Sequence, residues 1–134
     1  MTTASAPGKI ILFGEHAVVS GAMALGGAID LRASVSVQDR PGCILVTTDD
    51  LILRGFSLDL QSGRLSSPEA THATRYISAV LREFDVHDVE VRIRSSLPAS
   101  AGLGSSAAIV VAAVTAVSSH QGCSLTLKEI AALS

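Results

Sequence analysis

Tryptophan is absent, and 134 residues hold only one tyrosine and three phenylalanines. A core must therefore be built from aliphatic side chains and alanine, for which there is ample material at 48% hydrophobic residues. Cysteine is equally scarce. Cys43 and Cys123 stand alone, which excludes a disulfide framework and any zinc-ligand spacing. Both are expected to be buried free thiols in a reducing cytosol. No sign of charge dominates, since ten basic and twelve acidic residues leave a formal net charge of -2. Without a basic stripe or an acidic tail, neither nucleic acid nor a strongly basic partner is indicated. No apolar run reaches the length of a membrane span, and residues 1–7 lack the charged-then-apolar plan of a signal peptide. Repeats, linkers and low-complexity tracts are missing too. The length suits one domain, or a part of a larger one.

What is present alternates between strand and helix patterns. Lys9 to Phe13 is a short apolar run that reads as a buried strand ended by Gly14. Leu31, Ala33, Val35 and Val37 alternate with Arg32, Ser34 and Ser36, as in a half-buried strand. Arg40-Pro41-Gly42 marks a turn, and Cys43 to Thr48 the next strand, which together suggest a hairpin. Leu51 to Leu60 has room for one or two further short strands. Ser67-Pro68-Glu69 opens a helix, along which Ala70, Ala73, Ile77, Val80, Leu81 and Phe84 recur at helical spacing. Val89, Val91 and Ile93 return to strand alternation within Asp88 to Arg94. An almost wholly apolar helix follows from Ala107 to Val117, terminated by Gly122. Thr126-Leu127-Lys128-Glu129 then has the signature of a capping box. A capped helix opening so near Ser134 leads us to expect the N-terminal part of a longer protein.

Two stretches carry chemistry. In LPASAGLGSSAA, Leu97 to Ala108, Gly102 and Gly104 lead into Ser105, Ser106 and the apolar helix. The first four amides of a helix lack internal partners and carry partial positive charge. A glycine loop on such an end lets backbone donors close around a phosphate, and the serine hydroxyls can bond phosphate or a metal ion. No lysine follows the glycines as in a P-loop, and the dinucleotide-binding spacing also fails. Tight packing alone is the bland explanation of such a turn. The other stretch is APGKIILFGEHAVVSG, Ala6 to Gly21, which sets Lys9, Glu15 and His16 among Gly8 and Gly14. Singly, these are a solvated lysine, a capping glutamate and a structural histidine. Beside a phosphate loop they fit phosphoryl transfer, which needs a cation at the transferred group and polar groups for the acceptor.

The same two stretches resemble the first and second motifs of the GHMP kinases, the family of galactokinase, homoserine kinase, mevalonate kinase and phosphomevalonate kinase. GEHAVV after GKIILF is most similar to the mevalonate kinase branch, in its shorter archaeal or bacterial form, and the likeness spans essentially the whole chain. The resemblance implies an α+β fold of the ribosomal protein S5 domain 2-like type, a mixed sheet with helices on one face. Residues 1–134 would be the N-terminal ATP-binding domain, with the C-terminal domain absent. It implies catalysis by Lys9 near the transferred phosphoryl group, and acceptor binding by Glu15 and His16. Ser95, Ser100, Ala101, Gly102, Leu103, Gly104, Ser105 and Ser106 would bind ATP together with Lys9, and Ser106 would ligate Mg2+. The implied reaction phosphorylates the 5-hydroxyl of mevalonate with ATP, giving 5-phosphomevalonate and ADP in isoprenoid synthesis in the cytoplasm. Another acceptor within the family, or a nucleotide-binding fragment inactive without a second half, are the alternatives. The implied partners are mevalonate and ATP, with no nucleic acid and no membrane, and a homodimer stays open. The family's metal-ligating Glu, catalytic Asp and third glycine-rich motif have no counterpart here. Asp85, Asp88 and Glu90 precede the loop and do not match them. The isolated chain is accordingly expected to be inactive.

Overall fold

The alternating run around Val35 becomes the backbone of the molecule. In the computed structural model, which describes residues 1–48, 56–59, 64–65, 71–98 and 101–134, the elements follow in the order β1 (Thr2–Phe13), β2 (Leu25–Asp39), β3 (Leu45–Thr48), β4 (Phe56–Asp59), β5 (Arg64–Leu65), α1 (Thr71–Glu83), β6 (Val89–Ser95), α2 (Ser105–His120) and α3 (Leu127–Leu133). The strands form one mixed sheet in the order β1-β2-β6-β3-β4-β5. Among the described residues, only β3 and β6 run parallel, and the crossover between them carries α1.

Period-two patterning decides which face is buried. Ala33, Val35 and Val37 of β2, Val46 of β3 and Val91 of β6 are fully buried, while Ser34 and Ser36 are half-buried and Arg92 and Arg94 are exposed. On the buried face lies α2, packed against β1, β2 and β6. Its alanines Ala112, Ala113 and Ala116 let the helix sit close to the sheet, and Val114 and Val117 fill the space between. Fully burying one such valine contributes about 1.5–3 kcal/mol. Two hydroxyls in the body of this helix are satisfied internally, with Thr115 Oγ1 donating to Val111 O at 2.8 Å and Ser118 Oγ to Thr115 O at 3.2 Å. α1 and α3 pack against α2, which keeps the helices on one side.

Three expectations are corrected. First, β2 and β3 are not a hairpin: β6 lies between them. Asp88, at the start of β6, closes the turn that a hairpin would have closed itself. Its carbonyl accepts from Arg40 N at 2.6 Å and its Oδ1 from Gly42 N at 2.8 Å. Second, Lys9–Phe13 is not buried. The strand begins at Thr2, and its early residues Ala6 and Gly8 are buried, whereas Leu12 is 57% and Phe13 74% exposed. Because β6 reaches only Ala33 to Asp39, the far ends of β1 and β2 project as a two-stranded ribbon. A register shift between Pro7 and Gly8 marks where the ribbon begins, and Leu31, expected inside, is exposed there. Third, neither thiol is buried. Cys43 is half-exposed, accepting from Arg40 Nε at 3.1 Å, and Cys123 is exposed where the chain leaves α2.

The helices follow their local signals. Ile77, Val80 and Leu81 of α1 are buried as their spacing predicts, while Ser67-Pro68-Glu69 lies outside the described residues. Gly122, with φ of 75°, terminates α2, and Cys123 N returns to Ser118 O at 2.8 Å. In α3 the capping box forms reciprocally between Thr126 and Glu129. Among the described residues, no helix is long and apolar enough to cross a membrane.

Candidate functional site

The glycine loop is tied down where it leaves β6. Ser96 N donates to Arg32 O at 3.0 Å, and Arg32 N donates to Ser96 Oγ at 2.9 Å, so the chain stays in register with β2 for one more residue. Ser95 Oγ accepts from Leu97 N at 3.1 Å, and Leu97 is buried. The loop then opens. Ala101 and Gly102 are exposed, Leu103 to Ser105 are half-buried, and Ser106 is exposed again. Ser100 lies outside the described residues.

Gly102 and Gly104 both adopt left-handed backbone, with φ of 69° and 71°, a conformation that costs any other residue about 1–2 kcal/mol. Gly104 is the N-cap of α2 and provides no side-chain cap. The first internally bonded amide is that of Ala108, which donates to Gly104 O at 2.9 Å. The amides of Ser105, Ser106 and Ala107 therefore have no helical acceptor, and the positive end of a 16-residue helix is concentrated there. No acidic residue occupies the first turn. Open donors of this kind can take an anion, and two serines, Ser105 and Ser106, stand in the same turn.

Lys9 reaches this end of the helix from β1. Its backbone N–H donates to Leu103 O at 2.9 Å, which fastens the loop along the outer edge of the sheet. Its side chain lies over Gly104. A Cβ on Gly104 would come 2.5 Å from Lys9 Cγ and 3.3 Å from Lys9 Cε. Glycine is thus required at 104 twice, for its backbone angle and for the lysine stem. Among the described residues, no carboxylate lies within ion-pair distance of the Lys9 ammonium. A cation and the open end of α2, far apart in sequence, are brought together.

Glu15 and His16 sit elsewhere on the same strand pair. They follow Gly14 into the turn that joins β1 to β2, ahead of a short 3-10 turn at Val18–Ser20. Gly14 has φ of 87°, and a Cβ there would meet Met23 O at 2.5 Å, so the ribbon's end folds tightly at that point. Both side chains are exposed and, among the described residues, without hydrogen-bond or ion-pair partners. Sequence reasoning singled out Lys9 and the loop but missed the Ser96–Arg32 clamp and the Leu103 carbonyl. A serine just beyond a strand was the only available hint of the first. Backbone groups leave no residue signal at all. Among the described residues, no cluster of three His, Cys, Asp or Glu side chains could hold a metal ion.

Residues 71–134 match the family described as GHMP kinases N terminal domain. The chain is similar to the mevalonate kinase of Saccharolobus solfataricus, 38% identical over 137 residues, an alignment that takes in 100% of this chain and 43% of that protein. In structure it is similar to Methanococcus jannaschii mevalonate kinase, with a TM-score of 0.78 at 31% identity over 98% of this chain and 44% of the other. Streptococcus pneumoniae phosphomevalonate kinase, determined with phosphomevalonate and AMPPNP, shares the fold with a TM-score of 0.77 at 21% identity, over 99% of this chain and 41% of that one. The chain spans less than half the length of these relatives.

Proposed function

Since the chain belongs to the GHMP kinases, we propose that it is the nucleotide-holding part of a kinase that transfers the γ-phosphoryl group of ATP to the 5-hydroxyl of mevalonate. The observation that carries this reading is the Lys9 side chain lying over Gly104 at the uncapped end of α2. In it, the amides of Gly104 to Ala107 and the hydroxyls of Ser105 and Ser106 bond the phosphates, with Ala101, Gly102 and Leu103 forming the wall of the loop. Ser100 belongs to the same loop by sequence. Ser95, whose oxygen accepts from Leu97 N, keeps its hydroxyl proton free to donate to the nucleotide.

Phosphoryl transfer is mainly a matter of positioning and charge. The acceptor oxygen forms its bond to the γ-phosphorus as the bond to ADP breaks, and the hydroxyl proton leaves to a base outside these residues. The Lys9 ammonium would favour the ionised form of the acceptor and stabilise charge on the transferred group. Glu15 and His16, exposed on the ribbon, would bond the acceptor's carboxylate and hydroxyls. Mg2+ fits the exposed Ser106 hydroxyl as a hard oxygen donor, with phosphate oxygens completing its shell, and would neutralise charge on the nucleotide. One hydroxyl cannot hold the ion alone. A cytoplasmic location, where ATP is plentiful, belongs to the same reading.

A coupled ADP-release assay with mevalonate, phosphomevalonate and homoserine tests it, run beside a calorimetric titration with AMPPNP and magnesium. Nucleotide binding with mevalonate-dependent release supports the full reading. Release with another acceptor transfers it to that alcohol, and binding without release restricts this chain to holding the nucleotide. Absence of nucleotide binding overturns it.

A further inference from the structure

Gly8 stands beside Lys9 in β1 and has no place in the phosphate site. It is not one of the glycines with positive φ, so its backbone asks for nothing that another residue could not adopt. The space around it does. A Cβ there would collide with Leu97 Cδ2, come 2.9 Å from Leu103 O and 3.2 Å from Ile29 Cδ1. Two of these three neighbours belong to the glycine loop, one at its buried start and one at the residue before the N-cap. Leu103 O is also the acceptor of the Lys9 amide, at 2.9 Å.

These contacts set the direction of one peptide. The bond between Leu103 and Gly104 is trans, as no cis peptide is present, and a trans peptide points its C=O and N–H opposite ways. With the Leu103 carbonyl turned onto β1 and satisfied there, an oxygen that would repel a phosphate is held away from the open end of α2. The Gly104 N–H is aimed away from the strand. We propose that Gly8 is a positioning residue of the kinase site: its missing side chain lets the loop close onto β1, which orients the Leu103–Gly104 peptide and lays the Lys9 stem over Gly104. The inference rests on the nucleotide reading for its functional consequence, but its structural half stands on its own.

Gly27 supplies the control. It lies in β2 within the same ribbon, paired with Ile10, and a Cβ on it would meet nothing within 4 Å. The experiment compares Gly8→Ala and Gly27→Ala by AMPPNP titration and by hydrogen exchange of the Lys9 amide, with the amides of Val35 and Val91 as core references. Gly8→Ala is expected to weaken AMPPNP binding by about tenfold or more and to speed Lys9 exchange by a similar factor, while the core amides stay protected and Gly27→Ala changes each by less than about twofold. A general loss of packing would speed Lys9 and the core amides together, and that result overturns the inference. So does unchanged Lys9 exchange, or wild-type AMPPNP affinity in Gly8→Ala. If the unsubstituted protein binds no AMPPNP, the nucleotide reading fails while the exchange comparison still decides whether Gly8 seats the loop. Should Gly8→Ala not fold, Gly8→Ala/Leu97→Val removes the δ-carbon collision but keeps Leu103 O crowded, and the same measurements apply.

Discussion

Replacing Lys9 by methionine removes one positive charge while keeping most of the stem that lies on Gly104. Packing and charge can therefore be separated at this residue. If the ammonium stabilises charge that develops during transfer, Lys9→Met should lower kcat of the catalytically complete kinase by about 100-fold or more, with a much smaller change in AMPPNP affinity. Steady-state kinetics beside calorimetry would check this, and near-normal turnover would refute the role. Ser106 makes a complementary case. Its hydroxyl is exposed in the first turn of α2, so Ser106→Ala should leave folding intact yet shift the Mg2+ dependence of turnover to higher concentration. An unchanged magnesium titration would refute the proposed metal-ligating role of Ser106. Both residues stand out in the sequence, because a lysine at the start of an apolar run and serines after glycines are local patterns. Their meeting was not legible. It depends on the Lys9 amide finding the Leu103 carbonyl, a backbone contact between distant segments that no residue type encodes.

At the scale of elements, the last helix offers the cleanest titration. Glu129 Oε2 accepts from Thr126 N at 2.8 Å and from Thr126 Oγ1 at 2.7 Å, and these two bonds, the backbone one foremost, hold its carboxyl below the usual carboxylate range. A group whose folded value is depressed contributes stability that is fully present above its unfolded value and is lost as pH falls through the folded one. The start of α3 should therefore stay intact through the pH range in which an ordinary glutamate titrates and loosen only as pH falls beneath it. The amide shifts of Thr126 and Glu129 followed by NMR should titrate with a midpoint beneath that of an ordinary glutamate, and a midpoint at or above it would contradict the capping box. Thr126→Ala should cost α3 about 1 kcal/mol and move the midpoint only part of the way back towards that of an ordinary glutamate, because the backbone N–H of residue 126 remains to donate to Glu129 Oε2. This box was readable in advance because all its partners lie within four residues, and the burial of α2 followed from its uniform apolarity. Strand neighbours were harder. The turn at Arg40 to Gly42 suggested that β2 and β3 pair, yet Asp88 closes that turn and β6 enters between them. Val89, Val91 and Ile93 announced an inward-facing strand but carried no sign of where in the sheet it would lie.

For the molecule as a whole, the unbalanced feature is the projecting ribbon. Leu12, Phe13, Val19, Met23 and Leu25 expose between 56% and 95% of their surface at this one end, beyond the reach of β6. Phe13 pairs with Leu25, whereas Leu12 falls at a register shift and Val19 and Met23 lie in the connection between the strands; the cost lies in apolar surface left in water, at about 25 cal/mol for each square ångström. A contiguous apolar patch of this kind normally marks a surface that meets another protein surface or a ligand. On its own, the 134-residue chain should therefore self-associate. Its weight-average mass in sedimentation equilibrium should rise with concentration, and it should bind a hydrophobic dye while its core remains folded. Substituting Phe13→Ser and Met23→Ser removes two large protruding groups, 74% and 95% exposed. That pair should shift association to higher concentration by about tenfold and leave the melting temperature nearly unchanged, because side chains already in water contribute little to folding. A chain that stays monomeric at every concentration, or a double substitution that lowers the melting temperature as a core cavity would, shows the ribbon to be packed in solution in a way its exposure denies.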